Sequence, residues 1–146
     1  MSQLSRNFCM GVLLALVTGL VQAQAQPAPK SKFDTSLDCV TIDRDGGNGY
    51  EMGQCAGRAL EEADAQLNRV YGELRTAMSA EDKKHLLDAQ RAWLAWRDKE
   101  AATCARASGF GPEGSGYGMV WGRCSTELTL ARVKQLAVYL KGIKSM

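Results

Sequence analysis

The sequence predicts an all-α domain: an antiparallel helical hairpin, a third helix packed on it, and two disulfides holding the parts together. Three observations carry that prediction. Apolar residues recur at steps of three and four along three stretches between Met52 and Ile143, the period of a one-sided helix. Glycine is concentrated at residues 46–49 and 109–118, before the first stretch and between the second and third. Four cysteines, Cys39, Cys55, Cys104 and Cys124, follow an N-terminal segment with the features of an export signal. β-Branched alternation is scarce, and the one segment that reads as extended is short, residues 39–42.

The chain opens with a single positive charge, Arg6, then an apolar run over residues 8–21, then Ala23-Gln24-Ala25 ahead of Gln26-Pro27. That order reads as a cleavable secretory signal peptide over residues 1–25. The run is too short and too weakly flanked for a spanning helix. Cys9 stands at the start of the run and not after it, so it is no lipid anchor and is lost with the signal. Cleavage would leave 146 minus 25, or 121 residues, enough for one domain with a modest core. It would also remove Arg6 and take the formal net charge from +2 to +1. With no basic run, nothing in that balance points to nucleic acid. No second long apolar run remains to span a membrane, and the expected location is periplasmic or secreted. An even number of cysteines in an exported chain implies two disulfides. Residues 26–38 read as a flexible leader and residues 39–146 as the folded domain.

The first helical row is Met52, Cys55, Ala59, Ala63, Leu67, Tyr71, Leu74 and Met78, with Asn48 and Glu51 spaced as a capping box. The second is Leu86, Gln90, Trp93, Arg97, Ala101 and Cys104, flanked by Leu87 and Leu94. Ser79 is its cap, and Glu81 and Asp82 complement the positive end of its dipole. So short a join folds the two helices back antiparallel. The third row is Trp121, Cys124, Leu128, Ala131, Gln135 and Tyr139, with Leu136, Leu140 and Ile143 alongside. Four cysteines allow three pairings, and sequence alone does not choose among them. Cys55 and Cys104 lie 24 and 25 residues from Ser79, at nearly the same height on the hairpin. That favours Cys55–Cys104, with Cys39–Cys124 clamping the N-terminal arm to the third helix.

Several fragments combine into a pattern. The first helix carries Met52-x-x-Cys55-Ala56 and Ala63-Asp64-x-x-Leu67-Asn68-x-x-Tyr71-x-x-Leu74. The second carries Ala89-Gln90-Arg91-Ala92-Trp93-Leu94-x-Trp96-Arg97-Asp98, then Cys104. The third carries Cys124 and Thr129-x-x-Arg132-x-x-x-Leu136. Together, from about Cys39 to Leu136, these resemble the lysozyme-inhibitor LprI-like family of small exported bacterial proteins. Two positions depart from it: the stretch between Cys39 and Cys55 is longer than expected, and Thr103 stands where an acidic residue is expected. The resemblance implies a helical, disulfide-linked envelope protein. For at least part of the family it implies binding and inhibition of lysozyme.

The residues themselves offer little catalytic chemistry. Asp43-x-Asp45-Gly46-Gly47-Asn48-Gly49 begins like a calcium loop, but Gly47 stands where an oxygen ligand is needed and Gln54 where a bidentate Glu is needed, so it reads as a turn before a capped helix. His85 is the only histidine and lies in a charged first turn. No Ser-His-Asp or Cys-His set is visible. Glu61, Glu62 and Asp64 share one helical turn, unlike an acid–base pair placed across a sugar. A non-enzyme with no metal or cofactor is expected. Trp93 belongs to the core row, whereas Trp96 lies at its edge and, if exposed, would be a binding anchor. Arg97 and Asp98 are expected in a structural ion-pair network with Asp64 or Arg132.

Residues 107–119 hold five glycines between two cysteines, with Phe110, Glu113 and Tyr117 among them. Such a loop either protrudes, able to enter an enzyme cleft, or is a connector whose two rings fold back on the core. The expected function is inhibition of a lysozyme-type muramidase by occlusion of its cleft, with Phe110, Glu113, Tyr117 and Trp96 as contacts. The chain is nearly neutral, so attraction to a basic lysozyme falls to local acidic patches such as residues 61–64. The alternatives are a non-catalytic periplasmic binding or scaffold module for an envelope protein or peptidoglycan, and an immunity-type protein against another cell-wall hydrolase. The sequence does not set the oligomeric state.

Overall fold

The computed structural model describes residues 30–145; the expected signal peptide and the first residues of the leader lie outside the described residues. The described residues form four helices and no strand: α1 (Cys39–Asp45), α2 (Gly49–Ala77), α3 (Ala80–Ala107) and α4 (Tyr117–Lys144). The all-α class and the number of bridges are as expected, and α1 is an addition. Residues 39–42 are helical, not extended, because Asp38 acts as an N-cap. Its carboxylate accepts from the Val40 and Thr41 N–H groups and from the Thr41 hydroxyl. These bonds outweigh the β-branched composition. α1 ends at Gly46, whose φ of 85° lies in the region that favours glycine.

Asn48 and Glu51 close the expected capping box at the start of α2. Ser79 caps α3 through the Asp82 N–H, as expected. Only Met78 and Ser79 separate α2 from α3, so the two form the antiparallel hairpin. α4 packs along both, most extensively on α2. Lys144 reaches Glu73 of α2, and Arg132 reaches Gln90 of α3, so α4 runs parallel to α2 and antiparallel to α3.

The bundle has two tiers. Near the hairpin tip, Leu67, Leu74, Leu86, Leu136 and Leu140 form the apolar core, with Tyr71, Trp93, Val133 and Ile143 against it. At the other end the buried residues are small: Ala56, Ala63, Ala101, Ala105, Gly122 and Ser125. A Cβ on Gly122 would stand 3.2 Å from the Ala56 Cβ, so α4 and α2 nearly touch there. Small side chains remove less apolar surface from water per residue, and this is the tier that the disulfides hold.

Two expectations are corrected here. The bridges are Cys39–Cys55 and Cys104–Cys124, not Cys55–Cys104 and Cys39–Cys124. The height argument placed Cys55 and Cys104 at the same end of the bundle, but α4 lies between them. Gly122 meets α2 beside Cys55, while Cys124 bonds to Cys104 of α3. The third helical row is also rotated. Ala131, Gln135 and Tyr139 are exposed, and the buried line runs through Gly122, Ser125, Thr129, Leu136 and Leu140. A search for large apolar residues misses Thr129, whose hydroxyl is satisfied within its own helix by the Ser125 carbonyl at 2.8 Å.

Residues 30–38 lie along α2. The Asp34 N–H donates to the Gln54 side chain at 2.8 Å, and Arg58 donates to the Leu37 carbonyl at 2.9 Å. The Phe33 ring covers Gly57, where a Cβ would clash with it.

Candidate functional site

The connection between α3 and α4 is residues 108–116, shorter than the expected 107–119 because α4 begins at Tyr117. It is a structured loop. α3 ends in a paired C-terminal turn: Gly109, at φ 86°, donates to the Arg106 carbonyl, and Phe110 donates to the Ala105 carbonyl. Gly114 then donates to Gly111, and Tyr117 to Gly114. One bridge, Cys104–Cys124, closes both ends of this segment. Phe110 is 36% exposed, and its ring lies over Gly116, where a Cβ would meet it at 2.5 Å. Glu113 is exposed and Tyr117 half-buried. The structure therefore places Phe110 and Glu113 on one braced loop, with Tyr117 opening α4 at its end. Trp96 is 47% exposed but sits eight residues before Cys104, about 12 Å away along α3. It does not join them.

The recognisable motif residues do something else. Arg97 is buried, with 8% exposure, and Nη1 donates to Asp64 of α2 at 2.7 Å and to Thr129 of α4 at 3.2 Å. It also pairs with Asp98 and lies over the Trp93 ring at 5.5 Å. Arg132 covers the same ring at 5.7 Å and donates to the Gln90 side chain at 3.3 Å. Partial burial lowers its pKa, without threatening its charge near neutrality. This expected network joins three helices, and Trp93 is its central platform.

Two grooves went unforeseen in the sequence. One, of about 540 Å³, runs between α1 and α4 over α2, with Val40, Ile42, Met52 and Met119 among its walls and Arg123 and Glu127 at its rim. It was illegible because α1 was not expected as a helix. The other, of about 370 Å³, lies between α2 and α3. Tyr71 and Leu87 line it nearest the hairpin tip, Asn68, Gln90 and Arg91 in the middle, and Asp64 and Leu94 at the far end. Its residues were all quoted from the sequence, but as motif and core positions. The signal for it was Asn68 facing Gln90 and Arg91 at matched distances from Ser79, with Asp64 one turn further along α2.

Fold and surface together define a small helical domain, held by disulfides, that presents a braced loop and two grooves. Its sequence matches the family described as lysozyme inhibitor LprI over residues 39–136. It is also 31% identical over 122 residues to an uncharacterised protein of Rhizobium meliloti (strain 1021), covering 75% of this chain and 83% of that one. The chain belongs to the lysozyme inhibitor LprI family. No solved structure matches it.

Proposed function

We propose that this protein is exported to the bacterial envelope and there inhibits a lysozyme-type muramidase by covering its cleft, with no chemistry of its own. Family membership over residues 39–136 is the observation that carries the reading. Two disulfides fit an oxidising compartment. The loop at residues 108–116 supports the mechanism, because its turns and its closing bridge limit the entropy lost on docking. In this reading Phe110 and Tyr117 are the anchors and Glu113 a rim charge.

A turbidity assay of wall lysis tests it. Oxidised protein should slow lysozyme with stoichiometric dependence, and reduction should weaken the effect by freeing the loop. Phe110→Ala or Tyr117→Ala should cost more than about 1 kcal/mol of binding if either ring is an anchor. Changing Glu113 should act on association rate and salt dependence. If both ring truncations are silent while inhibition persists, the surface around Trp96 takes the loop's place. If folded, oxidised protein inhibits no lysozyme class, a non-catalytic envelope-binding module or an immunity-type protein replaces the inhibitor.

A further inference from the structure

The α2–α3 groove contains hydrogen-bonding groups that the fold itself does not use. Gln90 is 8% exposed, but its side-chain nitrogen is not fully buried and keeps access to the groove it lines. Its oxygen accepts from Arg132 at 3.3 Å, while its nitrogen donates to nothing among the described residues. The Tyr71 hydroxyl is buried and has no partner among them either. A buried donor left without a partner is costly, and well-packed domains hold few. Asp64 gives one carboxylate oxygen to Arg97, leaving the other uncommitted at the far end of the groove. Asn68 and Arg91 line the middle, and Leu67, Leu87 and Leu94 supply apolar wall.

We propose that this groove binds an N-acetylated amino sugar, with the acetamido group placed between Gln90, Asp64 and the leucine wall. The chemistry is complementary group by group. The acetamido carbonyl accepts from the Gln90 amide, its N–H donates to the free Asp64 oxygen, and its methyl lies against Leu67 and Leu94. Ring hydroxyls then meet the exposed Asn68 amide. The seven steps of α2 from Asp64 to Tyr71 span about 10 Å, the reach of one or two sugar rings. An extended peptide would fit only about three residues in that length. Arg91 in the wall suits a sugar bearing a carboxylate. The proposal does not depend on muramidase inhibition, because it concerns a different face from the loop at residues 108–116.

The test is an NMR titration of the oxidised protein with the trimer of N-acetylglucosamine, with the deacetylated trimer as control. The acetylated trimer should give saturable shifts at the Asn68 and Gln90 side-chain amides and at the Leu94 methyls, and the control should not. Gln90→Glu retains shape and the Arg132 contact but removes the donor, so it should weaken binding tenfold or more in protein whose helical circular-dichroism spectrum matches the parent's. Asn68→Ala, on the exposed wall, should weaken it several-fold. Both variants should inhibit lysozyme as the parent does, which separates failure here from failure of the inhibitor reading. Three results overturn the proposal: no saturable shift, an equal response to the deacetylated trimer, or indifference to both substitutions. Shifts in this groove caused by lysozyme but not by the sugar also overturn it, and make the groove a protein interface.

Discussion

Arg97 is the side chain on which the upper bundle depends. It joins α2 through Asp64 and α4 through Thr129, while stacking on Trp93. Removing one partner of a buried pair costs far more than the pair contributes, though Asp64, with a side chain 40% exposed, recovers part of its hydration. Arg97→Met should therefore lower unfolding stability by about 2–3 kcal/mol, read as a lower urea midpoint at an unchanged slope. Asp64→Asn, at the wetter end, should cost less than Arg97→Met. Gly122 makes the opposite case, where an addition does the damage. Its missing Cβ lets α4 approach Ala56, so Gly122→Val should overpack the contact and cost about 1–3 kcal/mol. The ion pair was legible in the sequence because residues 64 and 97 lie at similar distances from Ser79. The Gly122 contact was not, since a pattern search for large apolar side chains does not see a helix packed through small ones.

At the scale of elements, the caps were the most legible features, because a cap is local chemistry. Asn48→Ala should cost about 1 kcal/mol by opening the capping box of α2. α1 depends on its cap still more, since it buries no residue. Hydrogen bonds from Thr41 hold the Asp38 carboxyl below its ordinary pKa, and those from Ser36 do the same for Asp34. A depressed folded pKa means stabilisation that is present above the ordinary value near ~4 and lost as pH falls through the folded value. Hydrogen-exchange protection at residues 34–45, corrected for the intrinsic rate at each pH, should accordingly fall below about pH 4, ahead of the leucine tier. α1 itself was misread because Cys-Val-Thr-Ile looks extended, although the signal that decides it, Asp38 three residues before Thr41, was in plain sight. The loop was legible in composition but not in form. Its glycines announced a turn, while the bond from Phe110 to Ala105 and the ring over Gly116 depend on where the end of α3 delivers the chain.

Across the whole molecule, leucines hold the hairpin-tip tier and sulfur holds the other. Bridges closing loops of 16 and 20 residues each contribute about 3 kcal/mol in the chain-entropy account. Replacing Cys104 and Cys124 together by Ser should lower stability by about that amount and expose residues 108–116 to protease. The sequence announced the number of bridges through the count of cysteines. It could not announce their pairing, which turns on α4 entering between two helices that a hairpin drawing places side by side. Peptide mapping of oxidised protein should recover Cys39–Cys55 and Cys104–Cys124 alone. In that pairing, each cysteine is joined to its nearest cysteine neighbour along the chain, and neither ring encloses the other. A polypeptide delivered N-terminus first into an oxidising compartment presents Cys55 to Cys39 before Cys104 arrives, and Cys124 last of all. Under such delivery the order of arrival favours the native pairing, and fewer wrong bonds need later thiol exchange.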